Sequence, residues 1–374
     1  MKRFNLTAPC VFGVEGILAD ELRRMGAEEV RAENGRVLFC GSEEMIARAN
    51  IRSRFAERIM INVGEFYAET FDELFEGVKG LPFEEYIGKT DEFPVKGWSI
   101  NSALHSIPDC QSIVKKAIVE RLKTKYKISW FEETGAKVQV QFSILKNRVS
   151  VMIDTTGFGL HKRGYRAKSN DAPIKETLAA AMCDQARIFP DSKIYDPMCG
   201  SGTILIEAAL MAKKYSPGLK NFFAAERFFF SDRKVWQSER NLAKDMILTD
   251  IDFKAVGYDI DPECVKLTLE NAKKAGVEKY VSAFVRDIKD FELEDNYAKV
   301  ITNPPYGERL LDIKKAQEIY TAMGKVFRRE NNNKFFIISP QDDFENYFGA
   351  VADKRRKLYN GMIKCQLYMY LKGK

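Results

Sequence analysis

The segment Asn303-Pro304-Pro305-Tyr306 has the residue types that can hold an exocyclic amine of a nucleobase. Two consecutive prolines fix φ and carry no N–H, so the carbonyl groups of this turn are held in place and partly unpaired. The Asn303 side chain and the Pro304 carbonyl can accept both hydrogens of an amino group and direct its lone pair at an electrophile. Tyr306 can stack on an unstacked base, a contact of about 1–3 kcal/mol. The alternative is an ordinary Pro-Pro turn.

A glycine-rich turn between a predicted strand and an apolar helix is a second candidate site. Gly200 and Gly202 allow close approach of the backbone to a ligand and place N–H groups at a helix N-terminus. Leu205 stands where Gly-x-Gly-x-x-Gly has its third glycine, and no Gly-Lys-Ser/Thr follows, so neither that fingerprint nor a Walker A loop is present. A purely structural turn is the alternative.

Two aspartates follow the next predicted strands and could bind the sugar and base of a nucleoside. Asp259 can accept hydrogen bonds from two ribose hydroxyls, and Asp287 can accept one from an adenine amino group. Capping of the helix at Asp261 is the alternative for Asp259, and a solvated loop is the alternative for Asp287. Gly202 and Asp259 are 57 positions apart, whereas about 20 is usual. We therefore predict an insertion over 215–252, rich in Phe and containing Trp236, that forms a packed flap.

The elements that must position these residues alternate between strand and helix from about residue 157 onward. Strands are predicted to end at Asp196 and Asp259, and a helix is predicted to begin at Asp261-Pro262 and to end at Gly276. Further strands are predicted near 280–285, 299–302, 335–339 and 364–371. This alternation is typical of a parallel sheet with helices on both faces.

The first 156 residues read as two smaller α+β units, and the second of them carries a basic helix and a hairpin. Apolar residues keep helical spacing after Asp109, which we expect to cap that helix. Two alternating segments flank Lys146-Asn147 and predict the β-hairpin. Residues 96–168 hold 14 Lys/Arg against 5 Asp/Glu, a net charge of +9 within a chain of net +6. This concentration indicates phosphate-backbone contact, and a solvated face is the alternative.

Composition narrows the class of protein. Seven scattered cysteines without any Cys-x-x-Cys argue against a disulfide framework and a zinc site and suit a reducing, cytoplasmic setting. The two histidines exclude a multi-histidine metal centre. No apolar stretch reaches the roughly 20 residues of a membrane span, and no signal peptide is evident behind Met1. We therefore expect neither metal nor membrane.

In these motifs the sequence resembles the THUMP-domain class I methyltransferases that use S-adenosylmethionine, among them the bacterial 23S rRNA guanine-N2-methyltransferases. The similarity covers nearly the whole chain and is carried by residues 160–166, 172–179, 196–207, 257–262 and 303–310, with the aromatic insertion around Trp236. The resemblance implies an α/β fold with a Rossmann-like, doubly wound, mostly parallel seven-stranded methyltransferase domain over 157–374. A ferredoxin-like domain over 1–62 and a THUMP RNA-binding domain over 63–156 precede it.

The resemblance also assigns residues to S-adenosylmethionine and to the target base. The loop over 196–203 would surround the methionyl part of the cofactor. Asp259 would bind its ribose and Asp287 its adenine. Pro173 and Thr177 would lie in the outer wall of the cofactor pocket. The implied cofactor residues are Pro173, Thr177, Asp196, Pro197, Cys199, Gly200, Ser201, Gly202, Thr203, Asp259, Ile260, Asp287, Ile288 and Asn303. The target base would lie against Asn303, Pro304, Pro305 and Tyr306.

The resemblance and the local charge together indicate an RNA substrate, with ribosomal RNA as the expected partner. The candidate RNA contacts are Lys115, Lys116, Lys123, Lys125, Lys162, Arg163 and Arg166. We expect methylation of a guanine N2 in 23S rRNA. The alternatives are an N6-adenine methyltransferase on DNA or RNA, a guanine-N2 methyltransferase on tRNA, and a non-enzymatic RNA-binding ribosome assembly factor.

Overall fold

The computed structural model describes residues 2–166, 174–293, 295–306, 310–327 and 330–372 of the 374-residue chain. The described residues form two seven-stranded sheets, one in each half of the chain. No helix in these ranges combines the length and the apolar character that a membrane span needs.

The first sheet combines the strands of both N-terminal α+β units in the order β2-β3-β1-β4-β7-β6-β5. Leu6 of β1 pairs with Ile61 of β4, and Phe66 of β4 pairs with Val149 of β7, so the predicted boundary between 62 and 63 falls inside β4. The boundary stays a prediction. The elements are β1 Phe4–Pro9, α1 Glu15–Arg24, β2 Glu28–Glu33, β3 Arg36–Gly41, α2 Glu43–Arg52, β4 Met60–Tyr67, α3 Phe71–Lys79, β5 Val95–Ile100, α4 Ile107–Tyr126, β6 Val140–Leu145 and β7 Arg148–Asp154.

The hairpin predicted around Lys146-Asn147 is confirmed. These two residues have φ of 51° and 65° and join β6 to β7, the pattern of a type I′ turn that matches the twist of the strands. The predicted cap of α4 is wrong. The helix begins at Ile107 behind Ser106, and Asp109 lies in the first turn, where it accepts a hydrogen bond of 2.5 Å from the Ser106 hydroxyl.

The second sheet has the order β10-β9-β8-β11-β12-β14-β13 and confirms the doubly wound, mostly parallel architecture. Strands β8 to β12 are parallel, whereas β14 runs antiparallel to both β12 and β13. The elements are α5 Glu176–Gln185, β8 Lys193–Asp196, α6 Thr203–Ala212, α7 Arg233–Asp245, β9 Lys254–Asp259, α8 Pro262–Ala275, β10 Val281–Val285, β11 Lys299–Thr302, α9 Leu310–Val326, β12 Lys334–Ser339, α10 Phe344–Phe348, β13 Lys354–Asn360 and β14 Ile363–Tyr370.

The aromatic insertion over 215–252 is packed, as predicted, but it fastens the two halves of the chain together. Trp236 is 1% exposed and stacks on Phe223 at 5.6 Å between ring centroids. Its helix α7 lies against α2, where Glu239 accepts hydrogen bonds from Arg48 and Arg52. The insertion therefore fixes the N-terminal sheet relative to the C-terminal one.

Candidate active site

A cavity of about 930 Å³ opens at the carboxyl ends of the parallel strands β8, β9, β10 and β11. It lies where the order reverses between β8 and β11, which is where open α/β sheets bind their ligands. Its volume is at the upper end of the range of about 300–1,000 Å³ typical of small-molecule sites. None of its lining residues comes from the insertion over 215–252.

The loop after β8 forms one wall of the cavity and needs its glycines. Gly200 and Gly202 have φ of 53° and 78°, in the region that favours glycine. A Cβ on Gly202 would lie 2.7 Å from the Thr268 side chain. Asp259 fixes the loop from the neighbouring strand, because its Oδ2 accepts a hydrogen bond of 2.9 Å from Gly200 N.

Asp196 is a buried carboxylate at the start of this loop. Its Oδ1 accepts hydrogen bonds from Thr302 Oγ1 at 2.8 Å and from Met198 N at 3.2 Å. The Thr302 contact ties the glycine-rich loop to the Asn303 turn on the adjacent strand. Burial, which these hydrogen bonds only partly offset, raises the pKa of Asp196 to about 7, with a further increase from the charge of Asp259.

Asp259 and Asp287 also line the cavity, as do their apolar neighbours Ile260 and Ile288. The alternative role of Asp259 as a helix cap is wrong, because Asp261 caps α8 by accepting a hydrogen bond of 2.9 Å from Glu263 N. Asp287 Oδ1 accepts one of 2.9 Å from Lys289 N and so caps a short 3₁₀ turn. Asp287 therefore has a structural role in addition to its place in the cavity wall.

The Asn303 turn faces the same cavity and carries a hydrogen bond that the sequence did not indicate. The Tyr306 hydroxyl donates to Asn303 Oδ1, and Asn360 Nδ2 donates to that hydroxyl at 3.4 Å. Burial raises the pKa of Tyr306, whose ring packs against the hydrophobic core. In this arrangement the ring is held beside the core, so the prediction that it stacks on a base requires the side chain to move.

Most of the predicted cofactor and base residues are brought together in this cavity. The predicted residues that line it are Asp196, Pro197, Cys199, Gly200, Ser201, Thr203, Asp259, Ile260, Asp287, Ile288, Asn303, Pro304, Pro305 and Tyr306. Gly202 does not line it but is the N-cap residue of α6. Pro173 lies outside the described residues. The buried Cys199 thiol contacts Thr268 at 3.6 Å, and burial raises its pKa well above the ordinary value, so the thiol stays protonated.

Thr177 takes part in a junction between the two halves instead of lining the cavity. Its hydroxyl donates to Glu57 at 2.6 Å, and Lys175, which does line the cavity, donates to the same carboxylate at 3.3 Å. Burial opposes ionisation of Glu57, but hydrogen bonds from His161 and Thr177 and the charge of Lys175 outweigh it and lower its pKa to about 2. Thr177 is not among the lining residues of the cavity, and its cofactor contact stays a prediction.

Two elements that sequence reasoning missed complete the cavity. Helix α9 contributes Lys315, Glu318, Ile319 and Ala322, and the β13–β14 hairpin contributes Asn360, Gly361 and Ile363. Gly361 followed by one residue is a hairpin turn signal, but no local pattern places either element at the cavity. In the described ranges no group of three or more His, Cys, Asp or Glu could hold a metal ion.

The candidate RNA contacts Arg163 and Arg166 both make hydrogen bonds within the protein. Arg163 is 9% exposed and donates to the carbonyls of Leu160 and Arg54, both at 2.5 Å. Arg166 donates to the Ile174 carbonyl at 3.0 Å and pairs with Glu176 at 3.1 Å. Arg163 is buried and joins the two halves of the chain, which corrects its predicted RNA contact. The contacts of Arg166 all lie within the C-terminal half, and its RNA contact stays a prediction.

The candidate lysines on α4 stay predictions, although most of their charge is matched locally. Lys115, Lys123 and Lys125 pair with glutamates at 2.5–3.5 Å, and Lys116 lies over the Phe75 ring. Lys162 lies in the linker and is exposed. The net charge of residues 96–168 therefore overstates the free positive charge at this surface.

The RMKL-like methyltransferase domain model matches residues 163–369, which include the cavity and both of its motifs. The chain belongs to the RMKL-like methyltransferases. The RlmL ferredoxin-like domain model matches residues 5–60 of the methyltransferase, and the THUMP domain model matches residues 68–154.

Relatives that span the whole methyltransferase support this assignment. "Putative RNA methyltransferase YpsC" of Bacillus subtilis strain 168 is 40% identical over 99% of this chain and 96% of its own length. "Ribosomal RNA large subunit methyltransferase K/L" of Aeromonas salmonicida strain A449 is 31% identical over 99% of this chain, which spans 54% of that longer protein. The crystal structure of SMU.472 complexed with SAH has a TM-score of 0.94 and 41% identity, covering 100% of this chain and 99% of that one.

The family uses S-adenosylmethionine, and the residues of the cavity fit this cofactor. The buried Asp196 carboxylate suits the positive charge of a sulfonium or ammonium group. The Gly200–Gly202 backbone leaves room for a ligand beside α6, and Asp259 and Asp287 present carboxylates near the apolar Ile260 and Ile288.

Asp196 is expected to couple cofactor binding to pH. Because its folded pKa of about 7 is above the ordinary 3.8, the native state binds more protons than the unfolded state between these values. The stability contribution of Asp196 is therefore lost as pH rises through this window. A bound cation favours the ionised form, so cofactor affinity should rise up to about tenfold per pH unit below pH 7 and level off above it.

Calorimetry of S-adenosylmethionine binding at pH 6, in two buffers with different ionisation enthalpies, measures the proton released. We expect the heat to differ between the buffers for the wild-type chain and to agree for Asp196→Asn. Equal heats for the wild type would contradict the assignment.

Proposed function

We propose that this methyltransferase methylates the exocyclic N2 amine of a guanine in RNA, with 23S ribosomal RNA as its substrate. The observation that carries this proposal is the Asn303 turn on the wall of the cofactor cavity, tied to the glycine-rich loop through Thr302 and Asp196. Adjacent strands β8 and β11 thereby set an amine-binding turn beside the cofactor loop.

The roles of the residues follow from their chemistry and position. Asp259 accepts hydrogen bonds from the ribose hydroxyls, Asp287 accepts one from the adenine amine, and Ile260 and Ile288 pack on the adenine ring. The bound cofactor supplies an electrophilic methyl group on a sulfonium. Asn303 Oδ1 has two lone pairs, so it can accept a hydrogen of the target amine as well as the Tyr306 hydroxyl.

Positioning supplies most of the acceleration in this proposal. Asn303 Oδ1 and the Pro304 carbonyl hold the two amine hydrogens, and the nitrogen lone pair points at the methyl carbon. The N–C bond forms as the S–C bond breaks, and the nitrogen then loses one proton to solvent. Aligning two bound reactants is worth about 7–11 kcal/mol, and neither a metal nor a nucleophilic side chain is needed.

The N-terminal half supports RNA as the substrate. Its match to the THUMP domain, together with the resemblance described above, points to RNA binding. The relative YpsC carries the name "Putative RNA methyltransferase", and the K/L relative carries the name "Ribosomal RNA large subunit methyltransferase". Because Glu239 and Arg163 fix this half to the methyltransferase sheet, RNA bound there is held at a constant distance from the cavity.

Transfer of tritiated methyl groups, followed by nucleoside analysis, tests the function. The purified chain is incubated with labelled S-adenosylmethionine and with unmodified transcripts of 23S rRNA and tRNA or with duplex DNA. We expect label in N2-methylguanosine of 23S rRNA. Label in N6-methyladenosine, in tRNA or in DNA would refute the stated substrate, and cofactor binding without any transfer would favour an assembly factor.

A further inference from the structure

The β13–β14 hairpin ends in a tight turn at the mouth of the cavity. Its strands pair from Lys354 with Met369 to Asn360 with Ile363, which leaves Gly361 and Met362 as the two turn residues. Gly361 has a φ of 62°, whereas the φ of Met362 is not positive. This is the pattern of a type II′ turn with glycine in the first position. This turn fixes the backbone of Met362.

Met362 is the exposed residue of an otherwise cavity-lining turn. Asn360, Gly361 and Ile363 line the cavity, whereas Met362 lies between them and is 96% exposed. Asn360 also donates to the Tyr306 hydroxyl at 3.4 Å, so the hairpin is attached to the turn proposed to hold the target base. The structure thus places a large, unpacked apolar side chain at the rim of the base site.

The hairpin that carries Met362 is strongly basic. Residues 354–364 contain five Lys/Arg and no Asp/Glu. Arg355 pairs with Glu345, and Arg356 donates to the Gly13 carbonyl at 3.1 Å and to Gln185 at 3.2 Å, which fastens the hairpin. The remaining basic residues, Lys354, Lys357 and Lys364, are exposed, and none pairs with a carboxylate in the part of the chain that the structure describes.

Aromatic side chains lie among these amines. Phe12, in the turn between β1 and α1, is 52% exposed and contacts the Tyr359 ring at 5.6 Å between centroids. The Lys357 amine lies 5.3 Å from the same ring. Unpaired amines for phosphates and exposed rings for bases are the combination that binds single-stranded or opened nucleic acid.

The proposed reaction creates a need for an apolar wedge. A guanine in a stem is paired and stacked, and it must leave the stack before its amine can enter the cavity, at a cost of a few kcal/mol. Apolar side chains inserted between bases offset such unstacking. Methionine suits this role because it is unbranched, flexible and polarizable.

We propose that the β13–β14 hairpin binds the RNA backbone beside the cavity and that Met362 occupies the gap left by the extruded guanine. This inference rests on the proposed function and names the element that prepares its substrate. Met362 is a positioning residue, because it acts on the neighbours of the target base and not on the reacting atoms. Its contribution should therefore depend on whether the target guanine is paired.

The test compares paired and unpaired targets in full-length transcripts. The guanine methylated by the wild-type chain is first mapped by mass spectrometry in an unmodified 23S rRNA transcript. A second transcript replaces its pairing partner, so that this guanine has none. We expect Met362→Ala to lower kcat/KM at least tenfold on the paired transcript and at most threefold on the unpaired one, and Met362→Leu to restore most of the loss.

Controls separate this inference from the proposed function. Leu269→Ala, which truncates an exposed apolar side chain on α8, should leave both rates unchanged. Equal losses on both transcripts, no loss on either, or a mapped guanine without a pairing partner would overturn the role of Met362 while leaving guanine methylation intact. Failure of the wild-type chain to methylate 23S rRNA would instead overturn the proposed function, and the wedge with it.

Discussion

Asn303→Ala is expected to lower kcat for methyl transfer about 10²–10³-fold, the scale on which a single preorganised polar contact acts in catalysis. The substitution removes the carbonyl oxygen proposed to accept a hydrogen of the target amine. The substitution leaves in place the residues proposed to bind the cofactor, namely the Asp196 loop, Asp259 and Asp287. Affinity for S-adenosylmethionine should therefore change by no more than about threefold.

Two further variants, compared with Asn303→Ala, separate effects on turnover from effects on cofactor binding. Tyr306→Phe removes the hydroxyl that donates to Asn303 Oδ1 but keeps the ring, and we expect it to retain turnover within about fivefold. Asp259→Ala should show the opposite pattern to Asn303→Ala. It removes the proposed acceptor of the ribose hydroxyls and the partner of Gly200 N, so cofactor binding should weaken by about 1–3 kcal/mol.

Single-turnover kinetics with prebound cofactor, together with calorimetric titration of each variant, separates binding from chemistry. Weakened cofactor binding with normal turnover in Asn303→Ala would contradict the assigned role. A loss in Tyr306→Phe as large as that in Asn303→Ala would place the effect in the hydroxyl contact instead of in the amine.

The sequence predicted which residues lie together at the cavity, because these residues lie at the ends of parallel strands. Asp196, Asp259 and Asn303 each follow a buried apolar strand, and the doubly wound order brings those strand ends to one edge of the sheet. Local patterns suffice for such a site: an apolar strand, a turn with glycine or proline, and a helix start. The lining residues from α9 and the β13–β14 hairpin come from later in the chain and from contacts that no local pattern records.

The predictions that the structure does not support concern side chains whose partners are distant in sequence. Arg163 was predicted to contact RNA from its charge alone, but it is enclosed between Arg54 and Glu207, 109 and 44 positions away. The Tyr306 ring was expected to face a base, but its hydroxyl is held by Asn303 and Asn360. Net charge and residue type do not reveal which groups are already paired within the fold.

The aromatic insertion shows the same limit at the level of an element. Its Phe and Trp residues predicted packing, and Trp236 is indeed buried. The sequence did not indicate which helix the insertion packs against, because its partner, helix α2, lies about 190 positions earlier. The structure gives this segment a mechanical role, which is to keep the N-terminal sheet and the cavity in one fixed arrangement.

Glu239→Ala is accordingly expected to be the most destabilising change at the junction of the two halves. Its carboxylate is buried and accepts from Arg48 Nη2 at 2.7 Å, Arg48 Nε at 3.1 Å and Arg52 Nη2 at 2.9 Å. Burial lowers the pKa of Arg52, which shows the cost of desolvating its guanidinium. Removing the anion leaves two largely buried cations, a loss of about 3 kcal/mol once their partial exposure is allowed for.

Thermal unfolding of the full chain measures this effect, at roughly 1 °C per kcal/mol for a chain of 374 residues. Asp20→Ala, which removes the exposed partner of Arg23, is the matched control and should cost less than about 1 kcal/mol. The triple change Arg48→Met, Arg52→Met and Glu239→Met should recover much of the lost stability, because no unpaired charge remains. A triple variant less stable than Glu239→Ala would show that packing of the α2–α7 contact, and not the uncompensated charge, holds the halves together.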